Sequence, residues 1–237
     1  MTVSRTQSPF RALPVLIAFF FNLFIGPALP LIASAATNIP DYSQCQIGNP
    51  KPVALDCDGW INGILNATHN DYAEDEVVPQ RLIVDFDTTG AHSVQLSYMT
   101  RKDSGTQHHA YDYLATWNYT YVNADKCQDL NPASLCIPNS DATASFLNIP
   151  SDGNSVTPGG PQPTSAHELP QANRQFVMYG GDLTGTSAIT HTTDPGEAGS
   201  DYGVITINFD VTDADGRVML LFGGHLAAGL GDRGWGA

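Results

Sequence analysis

Aromatic and polar side chains alternate from His108 to Val122. Tyr111, Tyr113, Trp117, Tyr119 and Tyr121 fall at odd positions, and Asp112, Thr116, Asn118 and Thr120 fall between them. Successive side chains of a strand point to opposite faces, so this period of 2 fits a β-strand and not a helix of period 3.6. The stretch predicts one long strand with an aromatic face and a mostly polar face, to which neighbouring strands should pair.

Other runs carry the same signal. Val77 to Phe86 reads as a strand, with Pro79 near its start, where a missing N–H does least harm. Asp87-Thr88-Thr89-Gly90 is a turn, and His92 to Thr100 forms the next strand, so residues 77–122 predict an antiparallel meander. Arg174 to Tyr179 is a strand ended by Gly180-Gly181, and Ser187 to Thr192 a weaker one. Tyr202 to Val211 alternates cleanly, and Asp213-Ala214-Asp215-Gly216 turns it into a return over Arg217 to Phe222, a predicted hairpin. Residues 36–57 read as an irregular arm. Residues 137–173 read as a Pro/Gly-rich excursion with one short strand near Phe146. The expected fold is all-β: an antiparallel β-sandwich, immunoglobulin-like or jelly-roll-like, with long irregular loops.

The first 35 residues read as a secretory leader. Arg5 and Arg11 precede an apolar run from Ala12 to Ile32, and Ala33-Ser34-Ala35 offers a small-x-small cleavage pattern. An uncleaved anchor is the alternative, which Gly26, Pro27 and Pro30 weaken as a spanning helix. Cleavage after Ala35 would leave residues 36–237 as a single domain without a membrane span. It would carry 8 basic and 24 acidic residues, a net charge of −16. Such a surface repels nucleic acid and anionic membranes. The four cysteines are even in number, as a disulfide framework in a secreted chain requires. Sequence proximity favours Cys45–Cys57 and Cys127–Cys136 among the three pairings, and the lack of C-x-x-C spacing argues against zinc.

Several residues are candidates for chemistry. Tyr111, Tyr113, Trp117 and Tyr119 could stack on sugar rings, with His109, Asp112 and His225 beside them; the same aromatics could instead pack into the core. Asp85 with Asp87, Asp213 with Asp215, and Asp56 with Asp58 place carboxylates two apart near turns, as calcium loops do, although none completes an EF-hand and Asp is also an ordinary turn residue. His108 and His109 would point to opposite faces of a strand, so only one could join Asp112 directly. Asn66-Ala67-Thr68 and Asn118-Tyr119-Thr120 are glycosylation sequons. Serine-hydrolase, zinc-protease and Walker motifs are absent. A pair of distant carboxylates acting as a glycosidase stays open.

Trp60-Ile61-Asn62-Gly63, Val78-Pro79-Gln80-Arg81, His109-Ala110-Tyr111-Asp112-Tyr113-Leu114, Tyr179-Gly180-Gly181-Asp182-Leu183-Thr184-Gly185 and Leu221-Phe222-Gly223-Gly224-His225-Leu226-Ala227 occur in that order. Together they resemble uncharacterised secreted bacterial β-sandwich domains at the N-terminal end of large surface proteins, where immunoglobulin-like or prealbumin-like repeats follow. The resemblance implies an extracellular module with no established activity and a chain that continues past residue 237. The expectation is therefore a secreted or cell-surface, non-catalytic interaction or adhesion module whose partner is an extracellular protein or a glycan. A carbohydrate-binding sandwich is the alternative, and a secreted hydrolase comes third. No cofactor is expected beyond a structural calcium ion in the carbohydrate-binding version.

Overall fold

The computed structural model describes residues 36–48, 50–63, 65, 71–103, 107–137, 144–152, 168–193 and 200–228. The expected leader, the sequon at Asn66, the glycine-rich end from Gly229 and much of the 137–173 excursion lie outside the described residues. The described residues form twelve strands: β1 (Ala36–Gln46), β2 (Gly59–Ile61), β3 (Val77–Phe86), β4 (Gly90–Asp103), β5 (Gln107–His109), β6 (Tyr111–Ala115), β7 (Ser145–Asn148), β8 (Gln175–Tyr179), β9 (Gly181–Thr186), β10 (Thr190–Thr193), β11 (Asp201–Val211) and β12 (Arg217–Leu226). Among the described residues no helix is long and apolar enough to cross a membrane.

The strands form two antiparallel sheets packed as a β-sandwich. The first sheet runs β2-β1-β3-β12-β8-β7, with β6 also on β12; the second runs β10-β11-β4-β5, with β9 also on β11. Alternation places the core between them. Leu82, Val84 and Phe86 of β3, Phe176 and Met178 of β8, and Val218, Leu220 and Phe222 of β12 face Leu96 and Tyr98 of β4 and Ile205, Ile207, Phe209 and Val211 of β11. Each large apolar side chain buried there contributes roughly 1.5–3 kcal/mol.

The first sheet is covered on its other face too. Ile83, Val177, Tyr179, Met219 and Leu221 point away from the second sheet, into a cluster with Trp60, Trp117, Tyr121, Leu130, Leu135 and Ile137. That cover is made of loops, and the two disulfides, Cys45–Cys57 and Cys127–Cys136, hold it in place. Arg81 locks it from below. Its guanidinium is 1% exposed, binds Asp41 and the carbonyls of Lys126 and Gln128, and lies 4.5 Å from the Trp60 ring. Because both faces of β12 are buried, it reads as a continuous apolar run, whereas β11 alternates buried and half-buried positions.

Four expectations are corrected here. The alternation over residues 108–122 does not make one strand. Its regular part is β6, five residues long; turns follow Thr116, and β5 belongs to the second sheet. Residues 77–122 are not a meander, because β3 pairs with β1 and β12 while β4 pairs with β11 and β5. The turn at residues 213–216 does not close a hairpin: β11 and β12 lie in different sheets, so the turn is a corner between layers. Residues 36–46 are not an irregular arm but β1, paired with β3. Pro40 is accommodated because the register of that pair shifts between Asn38 and Asp41, as bulged edge strands allow.

Candidate functional site

The two sheets differ in width, and the difference opens one flank. Beyond β3 the first sheet continues through β1 and β2. Among the described residues the second sheet ends on this side at β4, which β5 covers only from Arg101 to Asp103. The inward face of β1 therefore overhangs. Tyr42 pairs in register with Leu82 and Gln44 with Gln80, so all four share the face toward the core. Between the overhang and β4 lies a recess of about 170 Å³, with Leu114 and Phe222 at its floor and Tyr42, Gln44, Gln80 and Tyr111 on its walls.

The polar walls are hydrogen-bonded to one another. The Tyr42 hydroxyl donates to Gln80 Oε1 at 2.9 Å, and the Tyr111 hydroxyl donates to Gln44 Oε1 at 3.1 Å. Gln44 Nε2 donates to the Gly63 carbonyl. Burial holds the Tyr42 and Tyr111 hydroxyls above their ordinary pKa, so both are neutral donors at physiological pH. Gln80 differs from the rest. The residue is 3% exposed, its Oε1 is taken by Tyr42, and its Nε2 has no partner among the described residues. A buried amide with an open N–H pair facing a recess is a group prepared for an outside acceptor.

Two histidine–carboxylate sets lie elsewhere. His191 on β10 is hydrogen-bonded through Nε2 to Asp152 Oδ1 and through Nδ1 to Asp201 Oδ2, each at 2.7 Å. Tyr98 donates to the other oxygen of Asp152, and Thr100 donates to Asp201. Glu168 receives the Asp152 N–H and pairs with Arg174 at 2.9 Å. Burial alone would lower the His191 pKa, but the hydrogen bonds and charge of Asp152 and Asp201 outweigh it and raise the value above 6.5. The second set centres on His225, which is 0% exposed between Asp112 at 2.7 Å and Asp75 at 3.1 Å, with its ring stacked on Tyr113. Burial raises the Asp112 pKa, and the hydrogen bond and charge of His225 offset part of that rise. In both sets each imidazole nitrogen is engaged, so neither offers a free base to a substrate.

The ligand-binding candidates of the sequence divide accordingly. Tyr111 reaches the recess. Tyr113, Trp117 and Tyr121 are buried in core clusters and form no stacking platform; Tyr119, at 38% exposure, stands apart from them. Asp112 and His225 meet each other as an internal pair. His109 lies on β5, opposite Arg101 of β4. The calcium candidates lie in a strand and two turns. Asp85 forms two hydrogen bonds with Arg217, Asp213 accepts from the Asp215 N–H, and Asp87 is exposed in the turn after β3. Among the described residues no three His, Cys, Asp or Glu side chains are grouped to hold a metal ion.

The sequence reading missed Tyr42, Gln44, Gln80, Asp152, His191 and Asp201. Gln80 alone carried a signal, as an uncharged polar residue inside the apolar run of β3. No protein-family model, curated protein or solved structure matches this chain.

Proposed function

We propose that this is an extracellular, non-catalytic recognition module of adhesion type that binds an extracellular protein or glycan at the flank between β1 and β4. The observation that carries the reading is the unequal width of the two sheets. Among the described residues it leaves the outer edge of β4 and the recess under β1 open side by side. A sheet edge offers unpaired backbone groups, and a recess beside it offers specificity. The two disulfides favour an oxidising compartment. The recess walls hold amides and phenols and no acid–base couple, which favours binding over turnover. The resemblance to N-terminal domains of surface proteins points the same way.

The test uses the chain from residue 36 against a displayed library of random peptides and an array of extracellular glycans. Gln44→Trp, which puts an indole into the recess from its β1 wall, serves as the blocked variant. The expected result is ligands in one class that Gln44→Trp loses while its circular dichroism stays that of the folded chain. Ligands that bind both proteins equally, an absence of ligands in both classes, or turnover of a bound ligand would each overturn the reading.

A further inference from the structure

We propose that the recess between β1 and β4 is a subsite for one neutral pyranose ring of a glycan, recognised by Gln80 and Tyr42. This rests on the recognition-module reading and names its ligand class. Three observations select that class. The first is size. The recess measures about 170 Å³, little more than the cavity of about 150 Å³ that holds benzene, so it takes one face of a single sugar ring and no more.

The second is the open amide. Gln80 is 3% exposed, its Oε1 is held by Tyr42, and its Nε2 has no partner among the described residues. A purely apolar ligand would strand those N–H groups away from water, which is costly. A ring bearing hydroxyls supplies acceptors to them. The floor of Leu114 and Phe222 and the ring of Tyr42, itself 45% exposed, meet the C–H faces of the same sugar. Tyrosine serves both ends of such a ligand, since its body is apolar and its tip is polar.

The third is charge. No side chain on the recess walls is ionised at neutral pH, and the chain around it carries many more acidic than basic residues. A uronate or other anionic ring would be repelled, while a neutral hexopyranose meets no such barrier. An extended peptide would be held mainly through the backbone of β4 and would leave the Gln80 amide to chance.

The experiment is saturation-transfer NMR and calorimetry on the chain from residue 36 with methyl glycosides of glucose, galactose and mannose, and with methyl glucuronide as the anionic control. The expected result is saturation of ring protons for at least one neutral glycoside, at least tenfold weaker binding of the glucuronide, and at least tenfold loss in Gln80→Met. Tyr42→Phe, which removes one hydroxyl at a half-exposed position, should weaken the same glycoside several-fold and keeps the test decisive if Gln80→Met does not fold. The inference is overturned if no neutral glycoside saturates at millimolar concentration, or if binding is unchanged in the variants that fold. If glycosides fail while peptides bind and are lost in Gln44→Trp, the inference falls and the recognition module stands. If every ligand fails, both fall.

Discussion

The imidazole of His225 lies flat on the ring of Tyr113, with centroids 4.3 Å apart and 14° between the planes. The stack fixes the imidazole in the plane where its Nδ1 meets Asp112. The backbone N–H groups of Asp112 and Tyr113 help to hold the same carboxylate, and His225 is its hydrogen-bonded side-chain partner. Replacing His225 by Leu would keep most of the volume but leave that carboxylate without its main partner. Breaking a buried pair in this way costs about 3–5 kcal/mol, whereas removing both members is far less damaging. We expect His225→Leu to lower the denaturation midpoint steeply and His225→Leu/Asp112→Leu to recover much of the loss. A double-mutant cycle in urea checks it; strict additivity of the two single losses would contradict the pairing.

The His191 set makes stability depend on pH in a defined direction. Its folded pKa is raised, so the folded state holds a proton that the unfolded chain releases near the ordinary value of about 6.5. The stabilisation is therefore complete below that value and is lost as pH rises through the folded pKa. Asp152, Asp201, Tyr98 and Thr100 are the groups in direct contact with one another around it, with Glu168 and Arg174 behind Asp152. Urea midpoints measured from pH 6 to 9 should fall with pH in the native chain, and His191→Gln should flatten the decline. An unchanged slope in the variant would place the titration elsewhere.

Arg81 offers a test of what secures the loop layer. Its guanidinium binds Asp41 on β1 and two carbonyls next to Cys127, and it covers Trp60. Lysine carries the same charge but cannot fork to three acceptors or stack as a plane. Arg81→Lys should therefore destabilise by about 2–4 kcal/mol through the buried acceptors it strands. Near-UV circular dichroism should report the loosened Trp60–Trp117 pair, whose centroids lie 6.5 Å apart. A Lys variant as stable as the native chain would show that the loops hold themselves.

How much of this was readable beforehand follows from what each residue's surroundings require. The period of 2 in β4 and β11 was legible, because each packs one face on the core, β3 stood out as a mostly apolar run buried on both faces, and the disulfides followed from cysteine spacing. Strand partners were not. Asp213-Ala214-Asp215-Gly216 has the composition of a hairpin turn, and Gly216 does adopt a positive φ of 74°. A tight turn fixes the reversal of the chain, but whether the next strand stays in the sheet depends on which faces it must bury. β12 buries both, so it leaves β11 for the centre of the first sheet. The aromatic alternation misled because burial continued beyond Ala115 while the strand did not: Trp117 and Tyr121 fill the loop layer from turns. The recess and the His191 set draw on strands distant in sequence, Gln80 with Tyr42, and Asp152 with His191, so no local motif could announce them.

The two disulfides give the last prediction, since they should matter unequally. Cys45–Cys57 joins the end of β1 to the loop before β2 and is flanked by the buried Ile47 and Trp60. Cys127–Cys136 closes a loop within the outer layer. Their sequence separations, 12 and 9, predict similar entropic effects of about 3 kcal/mol each in the chain-entropy account. The folded state separates them. Loss of the first frees β1, which carries Tyr42 and Gln44, while loss of the second leaves both on the sheet. Cys45→Ala/Cys57→Ala should thus weaken ligand binding at the flank as well as stability, and Cys127→Ala/Cys136→Ala should lower stability with little change in binding. Chemical denaturation and ligand titration on the two double variants check this; equal binding losses would show that the flank depends on the whole loop layer and not on β1.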